Sequence, residues 1–248
     1  MFDVCVSIVS HEHDDLLPFL LDKISEFNEV KMVVLTHNLP KKDKAIFGVY
    51  HYELVEIYNA TPYGFSTNHN NAFKFSENTF FCILNPDVIF SINPFPRLLD
   101  AFRNHGIGVV APLVVNSHGV VEDSARYFPT PLRLLKKVFL KDKGAFEIDI
   151  RSDCQYVDWL AGMFLLLPSS HFARIGGLDE SYFLYYEDVD FSMRIWKSGF
   201  KVCLIPNASI IHDGRRDSHF RFKYMLFHFS SMMKFFIKHL FRFPNIRH

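Results

Sequence analysis

An aspartate directly follows an apolar, strand-like run in the first half of the chain. Residues 79–84 form the run, and Asn85-Pro86-Asp87 follow it. A carboxylate at a strand end, beside other strand ends, is placed to hold a divalent cation through oxygen. The same tripeptide is also typical of an Asx-Pro turn that merely ends the strand, and for so short a motif this structural interpretation is the more frequent one.

A dense acidic cluster lies later in the chain, where residues 185–190 read Tyr-Tyr-Glu-Asp-Val-Asp at the start of a predicted helix. Acids in a first turn favour the helix dipole, which is the structural explanation. Three carboxylates in four residues exceed what capping requires. A carboxylate beside aromatic rings and like charges gains basicity, which suits a general base. From these residues alone, the two interpretations have about equal weight.

Two further features suggest a ligand site. His212 ends the last predicted strand, and a neutral imidazole there could complete a metal shell begun by Asp87, although a lone histidine is usually structural. Residues 62–71 form a glycine-containing, amide-rich loop that opens a helix, which suits a diphosphate. The loop matches neither phosphate-binding glycine motif, which disfavours a P-loop NTPase or a Rossmann dehydrogenase.

The elements that must position these residues alternate between strands and helices. Strands are predicted at 4–9, 31–36, 53–58 and 79–84, and helices at 14–27 and 67–75. This order predicts an α/β fold with a mostly parallel, doubly wound sheet, covered on both faces. Ligands bind beyond the carboxyl ends of such strands, here residues 10–11, 37–38, 59–64 and 85–87. Later strands are predicted at 106–115, 120–128, 157–167, 202–205 and 209–212, and helices at 131–140, 169–175 and 187–198.

Composition bounds the class of protein. The 248 residues are 49% hydrophobic and 22% charged, which excludes disorder as the main state. No apolar run reaches the roughly 18 residues of a spanning helix, and the start reads as a strand rather than a signal peptide. The four cysteines form no C-x-x-C pair, so we predict buried reduced thiols of a cytosolic protein and no disulfide or zinc framework: Cys5, Cys82, Cys154 and Cys203.

Taken in order, these motifs resemble one family. The matching segments are Val9-Ser10-His11, Tyr63-Gly64-Phe65 with Asn70, Leu84-Asn85-Pro86-Asp87, Asp158-Trp159-Leu160-Ala161-Gly162, Gly176-Gly177-Leu178-Asp179-Glu180, residues 183–190, Arg194, Gly199, Pro206 and His212. The sequence thereby resembles the inverting GT-A glycosyltransferases of family 2, and within them the bacterial O-antigen and cell-wall rhamnosyltransferases. The resemblance implies a GT-A domain over residues 1–215, with a Rossmann-like nucleotide-binding half and a mixed acceptor half.

The resemblance also implies roles for single residues. Asp188 corresponds to the general base, and Asp87 with His212 to the ligands of Mg²⁺ or Mn²⁺. The donor-binding residues would be Ser10, His11, Asn38, Tyr63, Gly64, Phe65, Asn70, Asn85 and Asp87. Trp159 and Glu187 would lie around the sugar and the acceptor. Two positions depart from the family pattern: the second strand ends in His37-Asn38 rather than Asp-Asn, and Asn85 replaces the first acid of the D-x-D element.

The implied function is transfer of a sugar, with rhamnose from dTDP-rhamnose as the expected donor, onto a polyprenyl-diphosphate-linked saccharide in bacterial surface polysaccharide synthesis. The alternatives are a UDP-hexose or UDP-N-acetylhexosamine transferase, a nucleotidyltransferase, for which residues 9–17 lack the phosphate loop, and a non-catalytic scaffold. No nucleic-acid partner is predicted.

The segment 216–248 is predicted to be a separate amphipathic helix. Eight basic residues stand from Arg215 onward against Asp217 alone, although the net charge of the chain is zero. An apolar stripe has helical spacing: Phe222, Leu226, Phe229, Met233, Phe236, Leu240 and Phe243. Packing on the catalytic domain, a homodimer seam and an interfacial membrane helix are the three interpretations. We favour peripheral attachment to anionic lipid on the cytoplasmic face of the inner membrane.

Overall fold

The computed structural model describes residues 2–40, 48–133, 135, 146–212, 222–240 and 242–246. Its strands are β1 Val4–Ser10, β2 Val30–His37, β3 Glu53–Tyr58, β4 Phe80–Leu84, β5 Ile107–Val115, β6 Ala125–Arg126, β7 Gln155–Tyr156, β8 Trp159–Leu160, β9 Phe164–Pro168 and β10 Lys201–Ile211. Its helices are α1 Leu17–Ile24, α2 Phe65–Phe73, α3 Phe95–Ala101, α4 Ser169–Arg174, α5 Glu187–Lys197 and α6 Phe222–His239.

Eight of these strands form one sheet in the order β3-β2-β1-β4-β9-β5-β10-β7. The pairs β3–β2, β2–β1, β1–β4 and β5–β10 are parallel, whereas β9 runs antiparallel between β4 and β5 and β7 runs antiparallel to β10. β6 and β8 form a separate two-stranded sheet. The predicted α/β fold with a mostly parallel sheet is confirmed. The carboxyl ends of β1, β2, β3, β4 and β10 therefore lie along one edge.

The sheet is covered on both faces, which explains the nearly continuous apolar character of its strands. Along β1, Val6 and Ile8 belong to a core with α1 and α3. Cys5 points to the opposite face, into a second core with Phe172 of α4 and Phe191 of α5. Alternate residues of one strand thus enter two cores, as the two-residue period of a strand requires.

Several predicted elements differ in their bounds. The single strand predicted at 157–167 is β8 and β9, separated by a turn at 161–163. The two strands predicted at 202–205 and 209–212 are one strand, β10, whose pairing with β5 shifts register between Ile205 and Ser209. The strand predicted at 120–128 is reduced to β6. Helix α3, with prolines at its start, was not predicted. Most of the helix predicted at 131–140 lies outside the described residues.

The cysteine prediction is wrong for one pair. Cys154 and Cys203 form a disulfide, with their Cα atoms 6.1 Å apart and a sequence separation of 49. The antiparallel pairing of β7 with β10 brings the two together, because Cys203 pairs with Tyr156, two residues after Cys154. Cys5 and Cys82 are free and buried, as predicted.

Helix α6 packs on the domain through one face. Its buried side chains are Ser231, Phe235, Phe236 and His239. They lie against a cluster that includes Phe128, Tyr182, Tyr186, Val189 and Met193. Four residues of the predicted apolar stripe, Leu226, Phe229, Met233 and Leu240, remain exposed, whereas Phe236 and Phe243 contact the cluster, so only part of the stripe lies on the packed face. None of the helices in the described ranges combines the length and the apolar character needed to cross a membrane.

Candidate active site

Three asparagines form a buried hydrogen-bonded cluster beyond the ends of β2 and β3. Asn59 Nδ2 donates to Oδ1 of Asn38 at 2.9 Å and of Asn68 at 2.8 Å, and Asn68 Nδ2 donates to Asn38 Oδ1 at 3.0 Å. Asn38 also binds the backbone of Tyr63, accepting from its N–H at 2.9 Å and donating to its carbonyl at 3.0 Å. Asn38 therefore fixes the loop that carries Tyr63 and Gly64.

The end of β1 lies beside this cluster. Ser10 is buried at the last position of the strand, and the exposed His11 places Nδ1 3.3 Å from Asn38 Nδ2. The structure thus brings together three of the residues predicted to hold the nucleotide. They line the sheet edge where ligands of doubly wound folds bind.

His37, at the first departure from the family pattern, is turned into the protein. Its Nε2 lies 3.0 Å from Glu56 Oε2, and its ring stacks on that of Tyr58 with centroids 4.5 Å apart. The side chain is fully buried. His37 is therefore part of the β2–β3 packing rather than an exposed substitute for the family's aspartate.

Asp87 and His212 face each other beyond the ends of β4 and β10. His212 Nε2 lies 3.2 Å from Asp87 Oδ1, and their side chains are only 12% and 19% exposed, respectively. The two residues meet because Ile89 and Ile211 exchange backbone hydrogen bonds of 2.8 and 2.9 Å. Burial alone would raise the pKa of Asp87, but the hydrogen bond and charge of His212 hold its pKa below the ordinary value.

The donor chemistry of this pair fits a divalent cation. A carboxylate oxygen and an imidazole nitrogen are ligands that Mn²⁺ accepts, and the carboxylate suits Mg²⁺. Within the described ranges, no group of three or more His, Cys, Asp or Glu side chains could hold a metal by itself. Two protein ligands suit a cation that keeps water molecules and takes its other ligands from substrate phosphates.

Asp188 lies in the first turn of α5 with its carboxylate fixed by two backbone groups. Gly162 N–H donates to its Oδ2 at 3.1 Å and Val189 N–H to its Oδ1 at 2.8 Å. Burial raises the pKa of Asp188, and these hydrogen bonds offset the rise only in part. The result is a positioned carboxylate of raised basicity, as a general base requires.

Glu187, its neighbour, is more deeply buried. Its exposed fraction is 6%, and its Oε2 has no hydrogen-bond partner among the described residues. Burial first, and then the charge of Asp188, raises the pKa of Glu187 well above its ordinary value. Both members of this adjacent pair therefore have raised pKa values, and burial is the main cause for each.

The turn at 161–163 connects the two halves of the site. Met163 O accepts the N–H of Asn85 at 2.9 Å, two residues before Asp87. The preceding residue, Gly162, donates its N–H to Asp188. Adjacent residues of one turn therefore bind the Asp87 segment and the Asp188 carboxylate.

A close backbone approach connects the loop before α2 with the turn before α5. Phe65 N–H donates to Phe183 O at 3.2 Å. A Cβ atom on Gly64 would lie 2.8 Å from the same oxygen and 3.1 Å from Phe183 Cα. Only glycine at position 64 allows this approach without displacing backbone.

The Gly64→Ala variant should therefore be less stable and bind the nucleotide-sugar more weakly. We expect overpacking to cost about 1–3 kcal/mol, visible as a lower Tm, together with weaker nucleotide-sugar binding because the Tyr63 loop is displaced. Gly48→Ala is the matched control, since its Cβ would make only ordinary contacts of 3.7 Å or more. Equal Tm values for the two variants would contradict this account.

Asn70 is held by hydrogen bonds within the protein, and its predicted donor contact stays a prediction. Its Nδ2 donates to Leu178 O at 2.8 Å and to Glu180 Oε1 at 2.9 Å, and its Oδ1 accepts the N–H of Leu178 at 2.9 Å. These hydrogen bonds fix α2 to the segment before α5. Both N–H groups of the amide are thereby used within the protein.

Sequence reasoning missed Arg126, which lies on β6 opposite Trp159. Its guanidinium lies over the Trp159 ring, 5.4 Å from the centroid, and its charge lowers the pKa of Asp188 against the effect of burial. Trp159 donates its Nε1–H to Tyr127 O at 2.9 Å, which fixes the indole beside the site. The pairing of β6 with β8 involves only two residues of each strand, so the sequence gives no periodicity by which to predict it.

Asn59 and Asn68 were also missed as individual site residues, although Asn59 lies in a predicted strand end and Asn68 in the amide-rich loop.

Comparisons with known proteins bear on the fold and on the class of protein. No protein-family model matches the chain. Rhamnosyltransferase WbbL of Escherichia coli (strain K12) is 26% identical over 231 residues, which are 87% of this chain and 85% of WbbL. The N-acetylglucosaminyl-diphospho-decaprenol L-rhamnosyltransferase of Mycobacterium tuberculosis (strain ATCC 25618 / H37Rv) is 33% identical over 142 residues, which are 52% of this chain and 45% of that protein. The match thus spans less than half of the mycobacterial protein.

Solved structures with a similar fold are glycosyltransferases. The mannosyltransferase PcManGT of Pyrobaculum calidifontis, in complex with GDP-Man and Mn²⁺, superposes with a TM-score of 0.61 at 12% identity, covering 93% of this chain and 64% of that one. GalNAc-T7 with UDP, GalNAc and Mn²⁺ gives 0.60 at 13% identity, covering 86% and 44%. At such identities the likeness shows the fold alone. The chain therefore has the fold of these glycosyltransferases, and its sequence is similar to those of the two rhamnosyltransferases.

Proposed function

We propose that this chain is an inverting family 2 hexosyltransferase that moves rhamnose from dTDP-rhamnose onto a polyprenyl-diphosphate-linked saccharide. The names of the relatives support the sugar and the lipid-linked acceptor. The observation that carries the proposal is the connection through Gly162 and Met163, which fixes the Asp188 carboxylate next to the segment of Asp87 and His212. A nucleotide-sugar transferase needs a general base and, close to it, residues that can bind a divalent cation for the diphosphate.

The reaction we propose is a single displacement at the anomeric carbon. The Asp188 carboxylate removes the proton from an acceptor hydroxyl, and that oxygen bonds to the anomeric carbon as the bond to the nucleotide diphosphate breaks on the opposite face. The configuration is inverted because the two bonds lie on opposite faces. Backbone N–H groups of Gly162 and Val189 orient the carboxylate, and Glu187, whose Oε2 has no hydrogen-bond partner among the described residues, lies beside it to contact the acceptor or the sugar.

We assign Asp87 and His212 to the divalent cation. Mg²⁺ or Mn²⁺ would supply positive charge for the leaving diphosphate. The loop fixed by Asn38, with Tyr63, Gly64 and Phe65, would position the nucleoside and its phosphates at the N-terminus of α2.

The experiment that tests the function combines binding with transfer. A thermal-shift panel of nucleotide-sugars with Mn²⁺ identifies the donor, because a ligand that binds the folded state raises Tm by mass action. Transfer is then measured onto a short-chain polyprenyl-diphosphate-N-acetylglucosamine. We expect dTDP-rhamnose to give the shift and the product. If only a UDP-sugar gives the thermal shift and the product, the donor belongs to the alternative class. If no nucleotide-sugar of the panel gives a product, the chain is a non-catalytic scaffold.

We also propose that α6 attaches the enzyme to anionic membrane lipid. Its outer surface, with the residue that follows the helix, exposes six apolar side chains, each 43–68% accessible: Met225, Leu226, Phe229, Met233, Ile237 and Leu240. Such a surface on a basic segment is typical of an interfacial helix. A lipid-linked acceptor would bring the enzyme to the bilayer, which supports this surface as its contact.

The prediction is that Phe229→Ser with Ile237→Ser weakens flotation with phosphatidylglycerol liposomes, by roughly tenfold for each side chain. Phe19→Ser on α1, 78% exposed, is the matched control and should float like the wild type. Analytical sedimentation tests the alternative that this surface is a dimer seam. The surface is a dimer seam if the wild type is a dimer, the double variant is a monomer and liposome binding is unchanged.

A further inference from the structure

The turn that leads into α5 has an unusual backbone. Tyr185 and Tyr186 both lie in the left-handed region, with φ of 68° and 67°. Two consecutive tyrosines there are strained and persist only where surrounding contacts determine the conformation. Asp188 follows two residues later, so the same turn sets where its carboxylate lies.

One side of this turn is held by the domain, through the approach of Gly64 and Phe65 to Phe183. The other side is held by α6. Ser231 Oγ donates to Leu184 O at 3.0 Å, and Lys234 Nζ donates to Ser181 O. The turn is thus enclosed between the donor loop and the C-terminal helix.

Aromatic contacts from α6 cover the two strained residues. The His228 ring lies 5.6 Å from that of Tyr185 and 5.2 Å from that of Tyr186, measured between centroids. Phe235, fully buried, lies 5.6 Å from Tyr186. The helix therefore packs directly on the residues whose backbone is least able to hold its shape alone.

A second contact fixes α6 to α5 itself. Asp190 is fully buried and accepts from His239 Nε2 at 2.8 Å, from Lys238 Nζ at 2.6 Å and from Arg194 Nε at 2.7 Å. Lys197 Nζ lies 2.8 Å from His239 Nδ1, so the imidazole accepts on one nitrogen and donates to Asp190 with the other. Asp190 lies two residues after Asp188 on the same helix, about half a turn further along.

We propose that the inner face of α6 positions the catalytic base, with Ser231 and His239 as positioning residues that hold the 181–186 turn and the first turn of α5. This inference rests on the proposed function, and it gives the C-terminal helix a role beyond attachment. Deleting α6 would accordingly impair transfer as well as membrane binding. Neither residue touches the substrate in this account; each acts through the backbone that carries Asp188.

The test uses the full chain, a water-soluble acceptor and no vesicles. Ser231→Ala combined with His239→Ala should lower kcat about tenfold or more, because small displacements of a reacting group are costly, while the donor KM stays within about twofold. His239→Gln should restore most of the rate when Ser231 is present, since its amide can donate to Asp190 from the same place. Ser230→Ala, at the exposed serine next to Ser231 on α6, is the matched control.

Amide hydrogen exchange supplies a readout that does not need activity. Residues 181–190 should exchange faster in the double variant, while residues 59–68 of the asparagine cluster should not. Unchanged kcat and unchanged exchange, or equal losses in all segments, would overturn the inference. If the double variant is unfolded, the Ser231→Ala single variant is tested instead, by its kcat and by the hydrogen exchange of residues 181–190. A wild type without transferase activity would refute the proposed function, and the exchange pattern would still decide whether α6 holds the turn.

Discussion

The Asp188→Asn variant should bind its nucleotide-sugar donor normally and transfer the sugar about 10²- to 10⁴-fold more slowly, the range that a positioned general base contributes. Asparagine has nearly the same shape but cannot accept the acceptor proton. The donor-induced thermal shift with Mn²⁺ measures binding, and product formation under saturating substrates measures transfer. Asp100→Asn, an exposed aspartate paired with Arg103, makes the same chemical change away from the site and should leave both unchanged.

The pH dependence of the wild type gives an independent check. Burial raises the pKa of Asp188, and the base acts only when deprotonated. The transfer rate should therefore fall as the pH decreases through a value above the usual range for aspartate, while donor binding persists. A folded Asp188→Asn variant with near-normal kcat would show that another group accepts the proton.

The sheet was predictable because its strands are buried on both faces. β1, β2, β4, β5 and β10 contain buried apolar runs, the edge strand β3 is only partly buried, and the polar residues at the carboxyl ends mark the ligand edge. β6, β7 and β8 have two residues each, too short for any periodicity. The Cys154–Cys203 disulfide depends on the pairing of β7 with β10, so it was missed for the same reason.

The site was predictable only in part. Motif order identified Asp87, Asp188 and His212, and the structure places Asp87 against His212, connected to Asp188 through residues 162–163. The roles assigned to these residues remain predictions. Asn38 and Asn70 illustrate what sequence cannot supply. Both amides are committed to hydrogen bonds within the protein, and only the three-dimensional partners reveal it.

Helix α6 shows why an apolar stripe does not identify its own partner. The stripe has helical spacing over seven residues, but the face that packs is centred on Ser231, Phe235 and His239. A serine and a histidine on the buried face lowered its apolar signal. They are buried there because Leu184 O and Asp190 accept hydrogen bonds from them.

The Asp87→Asn variant should lose the metal-dependent part of donor binding. In the wild type, Mn²⁺ should enlarge the thermal shift given by the nucleotide-sugar; in the variant this increment should disappear, and transfer should fall by about 10²-fold or more. The reason is charge: the carboxylate is the anionic member of the Asp87–His212 pair, and an amide is a weaker ligand for a hard cation.

The increment, rather than the whole shift, is the informative quantity, because the Tyr63 loop that Asn38 fixes is intact in this variant and should still bind the nucleoside. Binding of Mn²⁺ followed by electron paramagnetic resonance, with donor present, gives a readout independent of turnover. His212→Asn should show the same loss in weaker form, since it leaves the carboxylate in place. Asp100→Asn again serves as the control. If Asp87→Asn retains the full Mn²⁺ increment, the cation binds elsewhere and the assignment of the Asp87–His212 pair is wrong.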